Sequence, residues 1–262
     1  MSGCVPHTKK NADEAQIRYQ LAGDYFRNRR IEAALAELEH VQALDPGNAD
    51  AYNLLGLISL QQGADYLAQA EVDACLTAGD AQAVRRDGSV KFQDAEQKLR
   101  KATELRATFS EAWNNLAVAA LNLQEYDMAI LAAHNALKDA TYPEPEVARA
   151  NLGWAYFQKR DVQSAWKELH EAVAHSPGFC VGRYRLAKVY VARDDWQRAA
   201  EELDAVTGSA QCPIQEAFLL GGMVQQKLRA TAKAGALFAR CVQLAPRSCI
   251  AAECKGYAQL IH

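Results

Sequence analysis

The chain has 262 residues, half of them apolar, and its 29 basic and 32 acidic side chains leave a net charge of −3. That is enough apolar material to bury a substantial core in one or two domains. The charges are spread along the chain without the basic stripe that phosphate binding needs, so nucleic acid is not an expected partner. The longest apolar stretches, such as Ala117–Leu123, fall well short of the roughly 20 residues with which a helix spans a bilayer.

Residues 1–14 read as a tether. After Met1-Ser2-Gly3-Cys4 comes a polar stretch, Val5–Ala12, containing Pro6, as expected of a segment that links an anchor to a first helix.

From Ala15 onward the sequence repeats. Aligned on Pro46, Pro177 and Pro246, positions twelve residues back hold Ala34, Ala165 and Ala234. Twenty-four back stand Ala22, Gly153 and Gly222, and eight back stand Leu38, Leu169 and Phe238. Two small columns let a pair of helices approach closely, the large column fills the space beside them, and proline ends the second helix. The spacing therefore predicts helix-turn-helix units, six in all, beginning near Ala15, Ala49, Ser110, Glu146, Cys180 and Gln215.

The second unit is too long. Pro46 and Pro177 are 131 residues apart, which is about 29 more than three periods of about 34. Two of the extra residues fall in the Pro143–Pro145 turn, and the rest form an insertion at about 63–90. Here Tyr66, Leu67, Ala70, Ala74 and Cys75 have helical spacing and Arg85-Arg86-Asp87-Gly88 reads as a turn. The preferred reading is an extra helix and loop, with Phe92, Ala95, Leu99 and Ala102 as the second helix of the unit. The alternative register makes 65–75 that second helix and 93–105 the extra element. At the C-terminus, residues 249–262 start a seventh first helix with Gly256 in its small column, and read as a cap on the exposed apolar end.

Leu152, Gly153, Tyr156, Ala165, Leu169, Ala172 and Pro177 resemble the tetratricopeptide (TPR) signature. The pattern recurs at Trp113, Leu116, Ala117, Tyr126, Ala129 and Ala136, and again at Leu186, Ala187, Tyr190, Trp196, Ala199 and Leu203. The resemblance implies an all-α, right-handed TPR solenoid of six repeats plus a capping helix, spanning 15–248 and 249–262. It also implies that positions three and four apart on each first helix share the concave face. These are Tyr19 and Phe26; Asn53, Leu57 and Leu60; Asn114, Val118 and Leu121; Trp154 and Phe157; Tyr184, Lys188 and Val191; and Leu219 and Met223. The face is largely apolar and suits an amphipathic or extended apolar segment of another protein, with Trp154 and Phe157 as anchors. TPR grooves that hold the acidic tails of chaperones carry a Lys and Asn clamp. The matching positions here are Tyr19 and Gly23, so such tails are not the expected ligand.

No GxSxG, glycine-rich phosphate loop or HExxH occurs, and the six histidines are scattered, so the chain reads as a non-enzymatic binder with no cofactor, metal or small-molecule substrate. Seven cysteines, none in CxxC spacing, stand either as buried thiols or as disulfides of an oxidising compartment.

Ser2-Gly3-Cys4 resembles the end of a bacterial lipoprotein signal. That resemblance implies lipidation at Cys4, and Val5 after it implies the periplasmic face of the outer membrane. In such a compartment Cys241 is expected to meet Cys254 on the capping helix, and Cys212 either Cys180 or Cys249. A six-repeat TPR lipoprotein is similar to the type IV pilus pilotins. This implies that the concave groove receives a subunit of an outer-membrane secretin and helps it to assemble into its multimeric ring.

Overall fold

The structure, a computed structural model, describes residues 5–72, 74, 75 and 80–260, with side chains from Asn11 onward. Among the described residues there are thirteen α-helices and no strand. They are α1 (Val5–Arg27), α2 (Ile31–Leu44), α3 (Ala49–Val72), α4 (Ala81–Leu105), α5 (Ser110–Asn122), α6 (Tyr126–Ala136) and α7 (Pro145–Gln158), then α8 (Val162–His175), α9 (Cys180–Ala192), α10 (Trp196–Thr207), α11 (Gln215–Lys227), α12 (Thr231–Leu244) and α13 (Cys249–Gln259). Among them no helix is long and apolar enough to cross a membrane.

Each odd helix packs against the even helix that follows it, giving six pairs, and α13 packs on α11 and α12. Odd helices also touch one another from pair to pair, α1 on α3, α3 on α5, α5 on α7 and α7 on α9, without comparable contacts between even helices. The stack therefore curves with its odd helices on the inner side.

The small columns explain the pairing. Ala22 and Ala34, Ala117 and Ala129, and Ala187 and Ala199 are fully buried. A Cβ added to Gly153 would lie 2.7 Å from Leu169 Cγ, and one added to Gly222 would lie 2.3 Å from Phe238 Cε1. The two helices of a pair cross too closely there for any side chain. The turns inside the pairs are equally regular. Arg29, Gln124, Arg160, Asp194 and Arg229 adopt φ between 55° and 65°, and the N–H of the following residue reaches back to close the helix, as from Asp161 to the Tyr156 carbonyl at 3.0 Å. This is the Schellman closure with a non-glycine residue in the left-handed position.

Among the described residues the insertion forms no separate helix. Residues 63–72 continue α3 and residues 81–90 are the first turns of α4, so both helices of the second pair are lengthened. Gly56 meets Leu99 in this pair, 43 residues away rather than the 16 that separate Gly153 from Leu169. The two signals that suggest a break are close-approach sites. A Cβ on Gly63 would sit 2.7 Å from Phe92, and one on Gly88 would sit 3.1 Å from Tyr66 Cβ and 3.3 Å from the Gly63 carbonyl. Phe92, Ala95, Leu99 and Ala102 are buried in α4, on the face that packs the second pair.

Candidate protein-binding groove

Twelve of the positions read as facing the groove, Tyr19, Phe26, Leu57, Val118, Leu121, Trp154, Phe157, Tyr184, Lys188, Val191, Leu219 and Met223, are half-buried on odd helices, as befits the inner wall of a curved stack. Asn53, Asn114 and Leu60 are buried instead. Leu60 lies in the same apolar cluster as Phe92 and Leu116. The asparagines join the repeats from beneath. Asn115 Nδ2 donates to Asn53 Oδ1 at 3.0 Å, and Asn53 Nδ2 to Glu111 at 3.1 Å. Asn151 Nδ2 donates to Asn114 Oδ1 at 3.0 Å. These buried amides are satisfied by one another, so their role is to fix the register of neighbouring repeats.

The last rung of this ladder is a cation. Arg185 Nη1 donates to Asn151 Oδ1 at 3.0 Å and to the Ala150 carbonyl at 3.1 Å. Its guanidinium carbon stands 5.5 Å from the centre of the Trp154 ring, and Lys188 Nζ stands 5.0 Å from the same ring and 5.5 Å from that of Tyr184. Trp154 stacks on Phe157 with ring centres 5.1 Å apart. Desolvation in this corner pulls the Arg185 guanidinium down to about 10 and pushes the Tyr184 phenol up to about 12. It also lowers the Lys188 ammonium, a shift opposed by Glu216 and reinforced by Arg185. Spacing identifies Trp154, Phe157, Tyr184 and Lys188 as neighbours. Arg185 escapes it because an arginine off the expected face reads as a solvated charge until the helix next door is in place.

The cysteines sit in three pairs. Cys180 meets Cys212 with Cα atoms 5.5 Å apart, Cys241 meets Cys254 at 6.4 Å, and Cys249 meets Cys75 at 5.4 Å, each in disulfide geometry. Cys75, which the expected pairings leave out, lies at the tip of the lengthened α3–α4 pair. That tip reaches the C-terminal end of the stack, where Glu71, Val72 and Arg85 border a cavity of about 620 Å³ together with Gln215, Glu216, Cys249 and Ile250. Cys4 lies outside the described residues.

The model of the tetratricopeptide repeat matches residues 19–84 and 81–145, just under half of the chain. The remaining pairs continue the same helix spacing and the same odd-helix contacts. The fold is that of a stack of tetratricopeptide-type helix pairs. Solved structures extend the TPR likeness over nearly the whole chain. The pilF protein of Pseudomonas aeruginosa superposes with a TM-score of 0.72 at 17% identity, covering 94% of this chain and 99% of that one. PilW, described as a widely conserved type IV pilus biogenesis factor, gives 0.71 at 20% identity, with 91% and 97% covered. MamA of Desulfovibrio magneticus RS-1, from residue 41 to its end, gives 0.55 at 19% identity, with 75% and 94% covered. No curated protein matches the chain in sequence. Repeats of this kind are protein-interaction modules, and no catalytic family is matched.

Proposed function

We propose that the protein is a type IV pilus assembly factor that binds a secretin subunit in its concave groove and promotes secretin multimerisation at the outer membrane. The observation that carries this reading is the extent of the match to pilF and PilW. Both align almost end to end with this chain in both directions, at TM-scores above 0.7, whereas MamA covers three quarters of it at 0.55. The sequence resemblance to pilotins, in its narrowest form to the gliding-motility lipoprotein Tgl, points the same way.

The anchor belongs to the same reading. Six of the seven cysteines are paired, which leaves Cys4 for acylation. A lipid there, directly before α1, whose first turns take up the polar residues to Ala12 that the sequence reads as a tether, holds the groove at the periplasmic face of the outer membrane, and the three pairs are oxidised in that compartment.

The test is deletion of the gene followed by electrophoresis of heat-resistant secretin multimers. Loss of multimers with monomer retained is the expected result. Normal multimers would replace this reading with that of a general TPR adaptor. Labelling with palmitate tests the anchor separately: label on the wild type and none on Cys4→Ala. Trp154→Ala and Phe157→Ala are each expected to weaken secretin binding by about 2 kcal/mol, the scale of an aromatic hot spot.

A further inference from the structure

Arginines packed between the helices of this stack are generally neutralised by the stack itself. Arg18 pairs with Glu37 at 3.0 Å, Arg149 with Glu168 at 2.9 Å and Arg183 with Glu202 at 2.5 Å, each from the first helix of a repeat to the second and always 19 residues on. Arg185 and Lys188 differ. They lie one turn apart on the inner face of α9, and among the described residues neither forms an ion pair. Arg185 uses Nη1 on two neutral oxygens, which leaves Nη2 and Nε without an acceptor among the described residues. Lys188 has the faces of Trp154 and Tyr184 beside it, and Glu216, near enough to act on its charge, forms no ion pair with it among the described residues. Two cations are thus held together over an aromatic floor, partly out of water and without an ion-paired carboxylate among the described residues, a costly arrangement that an incoming anion relieves.

We propose that this corner is a carboxylate subsite. It takes an internal Asp or Glu of an extended partner segment, with the carboxylate between Arg185 and Lys188 and the flanking apolar side chains on Trp154, Phe157 and Tyr184. A planar carboxylate matches the free edge of a guanidinium and accepts from the ammonium as well. The residue is internal because the wall continues on both sides of the subsite, through Val118 and Leu121 on α5 and through Leu219 and Met223 on α11, so the segment runs past it in both directions. The inference rests on the groove being the binding surface, as proposed above, and is independent of which protein supplies the segment.

The experiment titrates the whole chain with short synthetic peptides of valine and leucine, labelled, amidated at the C-terminus, and carrying either Glu or Gln at the centre. A third peptide has Gln at the centre and a free C-terminal carboxylate. The Glu peptide is expected to bind about tenfold or more tighter than the Gln peptide, the scale of a charge-assisted hydrogen bond. Lys188→Gln is expected to weaken the Glu peptide by about tenfold more than the Gln peptide, so that the preference is lost, and Lys188→Arg to restore it. The thermal midpoint of Lys188→Gln should equal or exceed that of the wild type, because no ion pair within the protein is lost. Equal binding of Glu and Gln peptides, equal weakening of both by Lys188→Gln, or no binding of any of the three would overturn the proposal. Preference for the free C-terminus would overturn the internal assignment. Normal secretin multimers after gene deletion would sink the functional reading and leave these titrations standing.

Discussion

At Gly222 one methyl group is enough to measure how tightly a repeat is closed. Alanine is the better helix former by about 1 kcal/mol, but its Cβ would overlap the Phe238 ring, and overpacking of a core costs about 1–3 kcal/mol. Gly222→Ala should therefore lower stability in chemical denaturation, whereas Gly235→Ala on the partner helix, where a Cβ meets nothing within 4 Å, should raise it by up to about 1 kcal/mol. Asp161 gives a second measurement at this scale. Its carboxylate accepts from the Ser164 N–H at 3.0 Å and caps α8. The Ser164 side chain and backbone together hold its pKa below the usual range. Since the folded pKa is the lower one, the stabilisation is complete above the unfolded value and fades as pH falls through the folded one. Asp161→Ala should cost about 1 kcal/mol near neutrality, with the difference closing in acid. The small columns that these tests probe are legible in the sequence because a period exposes them. The roles of Gly63 and Gly88 are not, because glycine serves both a turn and a close approach, and only the opposing Phe92 and Tyr66 decide between the two.

At the scale of elements, the second repeat carries the departure from the repeat pattern. The extra length is visible from proline spacing alone, since arithmetic does not depend on conformation. Its shape is not, because a helix that continues and a helix that stops and restarts present the same apolar spacing through Tyr66, Leu67 and Ala70. Where the lengthened pair points depends on the curvature of the whole stack, a sum over interfaces that no single repeat encodes, and so Cys75 carries no sequence signal of its partner. Removing residues 66–87 in favour of a short turn should leave α5–α10 as protected as before in hydrogen exchange. Amides of α11 and α13, which lose Glu71, Val72 and Arg85 from the shared cavity, should exchange faster. Equal protection in both regions would mean that the tip makes no energetic contact with the C-terminal end.

For the molecule as a whole, a solenoid is held by neighbours alone and frays from its ends, and here the C-terminal end is bound twice, by Cys241–Cys254 and by Cys75–Cys249. In the chain-entropy account the first closes a short loop worth about 3 kcal/mol and the second a long one worth about 5 kcal/mol. Reduction should thus lower the thermal midpoint, and Cys75→Ser should reproduce most of the loss that reduction adds to a Cys241→Ser, Cys254→Ser double variant. The long link also decides how the protein carries load. When the oxidised chain is pulled by its two ends, tension passes from Cys75 directly to Cys249, across a sequence separation of 174 residues. Everything between them, including the groove corner at Trp154, Arg185 and Lys188, hangs in a slack loop outside the force path. Stretched end to end in a force spectrometer, the oxidised protein should withhold about 600 Å of contour, at some 3.5 Å per residue, and release it only after reductant is added.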